Sequence, residues 1–153
     1  MKLFITLLML LTFSATAPAQ TALDEQIALA RQSAQTDRKL ILLGNMSFTS
    51  EESAQFWPAW NEYRAAVAAN GDRRLALIKN FAENYESMSD MKASELLTYH
   101  FSISMQDLVI KQDFAKKIDE FMPSQKVMRV IQIENKLDAA INMKLASEIP
   151  LTK

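Results

Sequence analysis

An all-α fold, drawn out into an elongated helical hairpin or bundle of four to five helices, is what this sequence predicts, and three observations predict it. Turn-forming residues are scarce, with 2 Gly and 4 Pro in 153 residues, against ordinary usage near 7% and 5%. A β-rich chain needs turn chemistry every 8–12 residues or so, and almost none is on offer. Apolar residues instead recur three and four apart over long stretches, which is the period of a helix with one buried face. Finally, the chain has no cysteine. Its stability must come from packing, and disulfides, thiolate metal sites and thiol redox chemistry are excluded.

Residues 1–19 read as a secretory signal peptide. Lys2 gives the positive start, Leu3 to Phe13 is an apolar run broken by Thr6 and Thr12, and Ala17-Pro18-Ala19 supplies small residues for the peptidase. The run is too short for a membrane span, which takes roughly 20 residues. The remainder, 20–153, is expected to form a single all-helical domain, exported to the periplasm and soluble. The full chain has 17 basic and 18 acidic residues, and without Lys2 the remainder keeps 17 − 1 = 16 against 18, which nearly balance. No general attraction to nucleic acid or anionic lipid follows.

The first helix is expected from Ala22 to Thr36, carried by Leu23, Ile27, Ala30 and Ala34. Leu40 to Leu43 reads as further helix ended by Gly44-Asn45, the alternative being a short extended segment. Thr49-Ser50-Glu51-Glu52 is a capping box. It opens a helix with Phe56, Trp60, Tyr63 and Val67 at heptad spacing, expected to kink at Pro58, which lacks the amide that would bond the Ala54 carbonyl. Asn70-Gly71 reads as its end and Asp72 as the cap of a third helix, whose stripe is Leu75, Ile78, Phe81, Ala82, Tyr85 and Met88.

From about Asp90 to Phe121 the pattern runs unbroken, which gives a helix about 48 Å long at 1.5 Å per residue. Leu97, Phe101, Leu108, Ala115, Ile118 and Met122 are expected to line one side of it. Asp107 with Lys111, and Asp113 with Lys117, are spaced to pair along the helix. Pro123 stops this helix and starts the last one, where Val127, Ile131, Leu137, Ile141 and Leu145 are expected to face inward. So short a break makes the two helices antiparallel neighbours. A helix this long overhangs a compact domain, and the overhang is a place for a second subunit.

Candidate sites are few. His100 is the sole histidine, expected to be a partly buried structural residue between Tyr99 and Phe101. The other reading makes the protein a small-ligand bundle holding haem or a metal through His100 and a methionine, with Met88 and Met91 as the nearest pair of thioethers. The carboxylate pairs Glu51/Glu52 and Glu134/Asp138 read as solvated surface beside Lys126, Arg129 and Lys136. No nucleophile elbow, phosphate loop or zinc motif occurs. Neither enzymatic activity nor a bound cofactor is expected. Phe56, Trp57, Trp60 and Tyr63 form the densest aromatic set, and since neighbours on a helix diverge by about 100°, one indole is expected at a surface. The set is therefore the candidate contact for another protein or for a second subunit.

With Phe48-Thr49-Ser50-Glu51-Glu52 and Met122-Pro123-Ser124-Gln125-Lys126 each standing before a helix, the chain resembles the Spy/CpxP group of periplasmic stress proteins, which includes CnrX-like and ZraP-like members. The stretches around Phe56-Trp57-Pro58 and from Gln132 to Asp138 are also similar to exported proteins regarded as regulators of extracytoplasmic sigma factors. The resemblance implies an elongated helical protein, often a homodimer shaped as a cradle, that binds unfolded proteins or a regulatory partner in envelope stress. Metal-responsive members use several histidines or a cysteine, and chaperone members are basic on the concave side. This chain has one histidine and nearly balanced charge. Cleavage after Ala19 predicts a secreted form beginning at Gln20, to be checked by intact mass; a mass that retains Leu3 to Phe13 would mean an anchored protein.

Overall fold

The computed structural model describes residues 34–148. The chain divides into two compact units, Met1–Asp37 and Arg38–Lys153. The expected signal peptide and most of the helix expected from Ala22 lie outside the described residues, and from Arg38 onward the described helices belong to the second unit. Every regular element described is helical: α1 (34–45), α2 (Ser50–Asn84), a 3-10 turn (Tyr85–Ser87), α3 (Asp90–Asp119) and α4 (Ser124–Glu148).

Local chemistry explains the ends. The 40–43 run is helical, and Asn45 donates its side-chain amide to the Ile41 carbonyl at 2.8 Å where α1 stops. The capping box forms as read: Thr49 Oγ1 accepts from the Glu52 amide at 3.2 Å, and Glu52 Oε2 accepts from the Thr49 amide at 2.8 Å. Ser89 caps α3 in the same way through the Lys92 amide. The Pro123 carbonyl, just before α4, accepts from the Lys126 and Val127 amides.

The helix expected to end at Asn70-Gly71 does not end there, and no separate third helix starts at Asp72. α2 runs for 35 residues, roughly 52 Å. Pro58 leaves it unbroken, and both Ala54 and Pro58 are exposed, so water can serve the carbonyl that proline leaves unbonded. Asn70 is no terminator but a buried bridge, whose Nδ2 donates to the Ile103 carbonyl at 2.9 Å and to Asp107 Oδ1 at 2.7 Å. Gly71 has a negative φ. It costs the helix about 1 kcal/mol relative to alanine, and the bonds across to α3 hold the segment helical.

α2 and α3 lie antiparallel, as the ladder Phe56 and Tyr63 to Phe114, Asn70 to Asp107 and Arg73 to Ser102 shows. At one end α1 and α4 join them around a core of Leu42, Met46, Phe56, Ala59, Trp60, Tyr63, Phe114, Ile118, Met122, Val127 and Val130. Each large side chain buried there contributes about 1.5–3 kcal/mol. At the other end, among the described residues, only α2 and α3 meet, over the small cluster Leu77, Leu96 and Ile103 with Phe81 and Met88 beside it.

Three expected stripes shift as a result. On α3 the residues against α2 are Leu96, Ile103, Phe114 and Ile118, while Leu97, Phe101 and Leu108 point to solvent. In the stretch expected as a third helix Leu77 is buried, Leu75, Ile78 and Phe81 are half-buried, and Ala82 is exposed. On α4 Val127 and Val130 are buried, Ile131 and Leu137 half-buried, and Ile141 exposed. Of the charges expected to pair along α3, Asp107, Lys111 and Lys117 reach across helices instead, while Asp113 stays 4.0 Å from Lys116 on α3. Lys111 binds Asp138 and Asn135 on α4, Asp107 binds Arg74 and Asn70, and Lys117 binds Glu62.

Beyond its chain neighbours and the backbone of its own helix turn, no heavy atom lies within 4 Å of where a Cβ on Gly71 would stand, so Gly71→Ala should raise stability by about 0.5–1 kcal/mol. Thermal melting checks it; a lowered Tm would mean that the helix needs glycine there.

Candidate functional site

The most buried polar group of the bundle is Glu134, with no solvent exposure. Trp60 Nε1 donates to its Oε1 at 3.0 Å, Arg38 Nη1 to its Oε2 at 2.6 Å, and Arg64 approaches Oε2 at 3.5 Å. Arg38 is itself only 3% exposed. Its second nitrogen reaches Asp138 Oδ1 at 2.7 Å, and Asp138 Oδ2 accepts from Lys111 at 2.8 Å. One connected network thus takes Arg38 from α1, Trp60 and Arg64 from α2, Lys111 from α3, and Glu134 and Asp138 from α4. Burial by itself would raise the Asp138 pKa, but hydrogen bonds from Lys111 and Arg38 outweigh it and hold the carboxyl below its ordinary value. Tyr63 is pushed upward, first by burial and then by the negative charges of Glu134 and Asp138.

The solvated reading of both carboxylate pairs is thereby corrected. Glu134 is core, Asp138 is partly buried, and Glu52 is buried with Lys126 Nζ 2.6 Å from its Oε2. The Lys126 hydrogen bond, then the Thr49 amide, lower the Glu52 pKa. Only Glu51 is the exposed residue it was expected to be. With both oxygens of Glu134 engaged and cations on either side, the pair joins helices and presents no free carboxylate. Among the described residues every buried side-chain nitrogen and oxygen has a partner.

Phe56, Trp60 and Tyr63 are core residues, at 0%, 1% and 4% exposure. Phe56 packs its ring with Phe48 and Phe114, Tyr63 stacks on Phe114 at 4.4 Å, and Trp60 meets Trp57 edge-on. Trp57 alone of the set is half-exposed. It donates its indole N–H to Ser53 Oγ and carries Lys39 Nζ 4.9 Å above its ring. The contact surface expected from these four residues therefore shrinks to part of one indole.

His100 is exposed rather than partly buried, set edge-on to the Phe101 ring. Met91 is 83% exposed and Met88 is half-buried. No group of three or more potential His, Cys, Asp or Glu ligands occurs among the described residues, and no described helix is long and apolar enough to cross a membrane.

The surface that sequence reasoning missed lies on α3. Leu97, Phe101, Met105 and Leu108 are 55%, 58%, 70% and 58% exposed. At about 100° per residue they fall within roughly 40° of a line through Phe101. The eleven residues 96–106 contain no Asp, Glu, Lys or Arg. A signal for this existed: Leu96 and Leu97 stand side by side, so a helix that buries one toward α2 turns the other away. Near Leu108 the strip runs into an open groove of about 410 Å³ between α3 and α4, lined by Asp107, Leu108, Lys111, Gln112, Ala115, Ile131 and Asn135.

No family model, curated protein or solved structure matches the chain.

The lowered Asp138 and Glu52 pKa values fix the sign of the acid response. Both groups stabilise the fold above the ordinary carboxylate range of about 4, and that contribution is lost as the pH falls from there toward the lowered values. Urea midpoints measured from pH 7 to pH 2 should drop below about pH 4, with a smaller drop in Asp138→Asn. Equal pH dependence in the two proteins would mean that Asp138 is not held by Arg38 and Lys111.

Proposed function

We propose that this chain is a non-enzymatic, exported protein that binds other proteins in the cell envelope under stress, as a chaperone or a regulator. The observation that carries this reading is the strip Leu97, Phe101, Met105 and Leu108, standing in solvent, with its first three members inside a stretch without formal charge. Large side chains left more than half exposed along one side of a rigid helix regain hydration free energy when another apolar surface covers them. A burial of roughly 25 cal/mol per Å² makes such a strip a contact site rather than a neutral surface. The absence of charge on it suits apolar segments, which a native protein hides and a partly unfolded one displays. Export rests on the leader-like 1–19 stretch, and the link to envelope stress on the resemblance of the helical pattern to the Spy/CpxP group.

A chaperone assay tests the reading. With a thermally or reductively unfolded client, the protein should suppress aggregation at near-equimolar ratio, and Phe101→Ser should lose at least half of that effect. Helical circular dichroism should stay unchanged, since Phe101 is outside both cores. Full suppression by Phe101→Ser would overturn the assignment of this surface.

A further inference from the structure

Resting on the reading of the α3 strip as a protein-binding surface, we infer that the strip has an occupant within this chain: the turns of α4 beyond Asp138 form a strap that closes over Leu108, Phe101 and Leu97 and competes with client segments for them.

The register of an existing contact carries the inference. Lys111 Nζ donates to Asn135 Oδ1 at 2.7 Å and to Asp138 Oδ2 at 2.8 Å, and Ala115 and Ile131 line the same groove between the two helices. The helices run antiparallel there, so each step back along α3 is matched by a step forward along α4. Carried on from Lys111 and Asn135, that register sets Leu108 beside Asp138, Ser104 beside Asn142, and Phe101 beside Leu145. At about 100° per residue, Leu97, Phe101, Ser104 and Leu108 all fall within roughly 40° of Ala115. The strip is therefore the continuation of the line on which α3 already meets α4.

α4 supplies a matching face. Val127, Val130 and Glu134 are buried, and Ile141 and Leu145 lie within roughly 40° of the line through Glu134. Ile141 is nonetheless 44% exposed, and all of residues 139–143 are exposed. An apolar position on the inward line of α4 and an apolar strip on the facing line of α3 thus both stand in water, within one compact unit. Covering each with the other removes both from water.

Length and charge fit as well. α4 is helical to Glu148, which lies roughly 20 Å along the axis from Asn135, and Leu97 lies roughly 21 Å back from Lys111. Between Asp138 and Glu148 the one charged residue is Lys144, and residues 96–106 have none, so closure brings no like charges together. Arg38 and Lys111 hold Glu134 and Asp138. They fix α4 up to the point where the strap begins and confine the movement to the turns beyond it. The strap also states the chemistry of its competitor, a helical segment with apolar anchors three or four residues apart.

Disulfide trapping in the full chain tests the inference, and the absence of native cysteine leaves no background. Ser104→Cys/Asn142→Cys, at two exposed positions, should close a disulfide within one chain on mild oxidation. Ser104→Cys/Met143→Cys turns the second thiol about 100° further around α4 and should stay mostly reduced. The closed form should need at least threefold more protein to half-suppress aggregation of a thermally unfolded client, and reduction should restore the original value. Ile141→Gln, without cysteines, should need at most half as much protein as the parent, with unchanged helical circular dichroism. Trapping of neither pair, equal trapping of both, or a disulfide formed between chains through Ser104→Cys alone, which would put a second copy on the strip, would each overturn the strap. If the strap fails while Phe101→Ser still loses suppression, the protein-binding reading stands. If the Asn142 pair closes and neither the closed nor the open form acts on a client, the closure stands and that reading fails.

Discussion

A carboxylate with no access to water sits where the helices of the four-helix end converge, and the remainder of the architecture depends on satisfying it. An unpaired Glu134 would be untenable, because burying an isolated charge costs many kcal/mol. Its two oxygens are met by Trp60 and Arg38, with Arg64 nearby. Each donor comes from a fixed place on a neighbouring helix, so the hydrogen bonds set the register of α1 and α2 against α4. The aromatic core around Phe56, Tyr63 and Phe114 supplies more apolar free energy than the ion pair. Greasy surfaces slide, however, and directional bonds do not. Retaining a buried ion pair where apolar residues would fill the space is consistent with a role in specifying one arrangement.

At the far end of α2 and α3 the constraint is weaker, and so is the packing. Two helices cannot enclose a core. Each offers one flank, and the rest faces water, so Leu77, Leu96 and Ile103 are the only buried apolar residues described there. Asn70 does at this end what Glu134 does at the other, fixing register through the Ile103 carbonyl and Asp107. The same thinness exposes Leu97, Phe101 and Met105. Among the described residues burial is therefore uneven along the molecule: one end is closed by four helices, and the other displays apolar side chains where two helices meet.

Much of the fold was legible because its signals are local. The Thr49–Glu52 box and the stop at Pro123 depend on chemistry within four residues and operate as read, and the Ser89 cap found on α3 is equally local. What misled was the identity of the residues in core positions. Asn70-Gly71 carries a local stop signal, yet the heptad series Phe56, Tyr63, Asn70, Leu77 continues straight through it, and tertiary bonds decided the outcome. The α4 stripe Val127, Ile131, Leu137, Ile141 has a gap where position 134 should be apolar. Arg38 fills the same kind of gap between Ala34 and Leu42. Two opposite charges in otherwise apolar stripes 96 residues apart are a signal for a buried pair, but nothing local says that they meet. The α3 strip was expected to be buried, since spacing tells which residues share a face and not whether a neighbouring helix is long enough to cover it.

The claim that the Arg38–Glu134 contact joins α1 and α4 is tested most directly by a double-mutant cycle with Arg38→Met and Glu134→Leu, using urea unfolding at pH 7. Each single substitution leaves a buried partner charge and should cost about 3–5 kcal/mol. The double variant, with both charges gone, should be more stable than the sum of the two losses predicts, by about 2 kcal/mol or more on the scale of about 0.5–3 found for residues in contact. Losses that simply add, or singles within about 0.5 kcal/mol of the parent as at ordinary surface positions, would contradict the account.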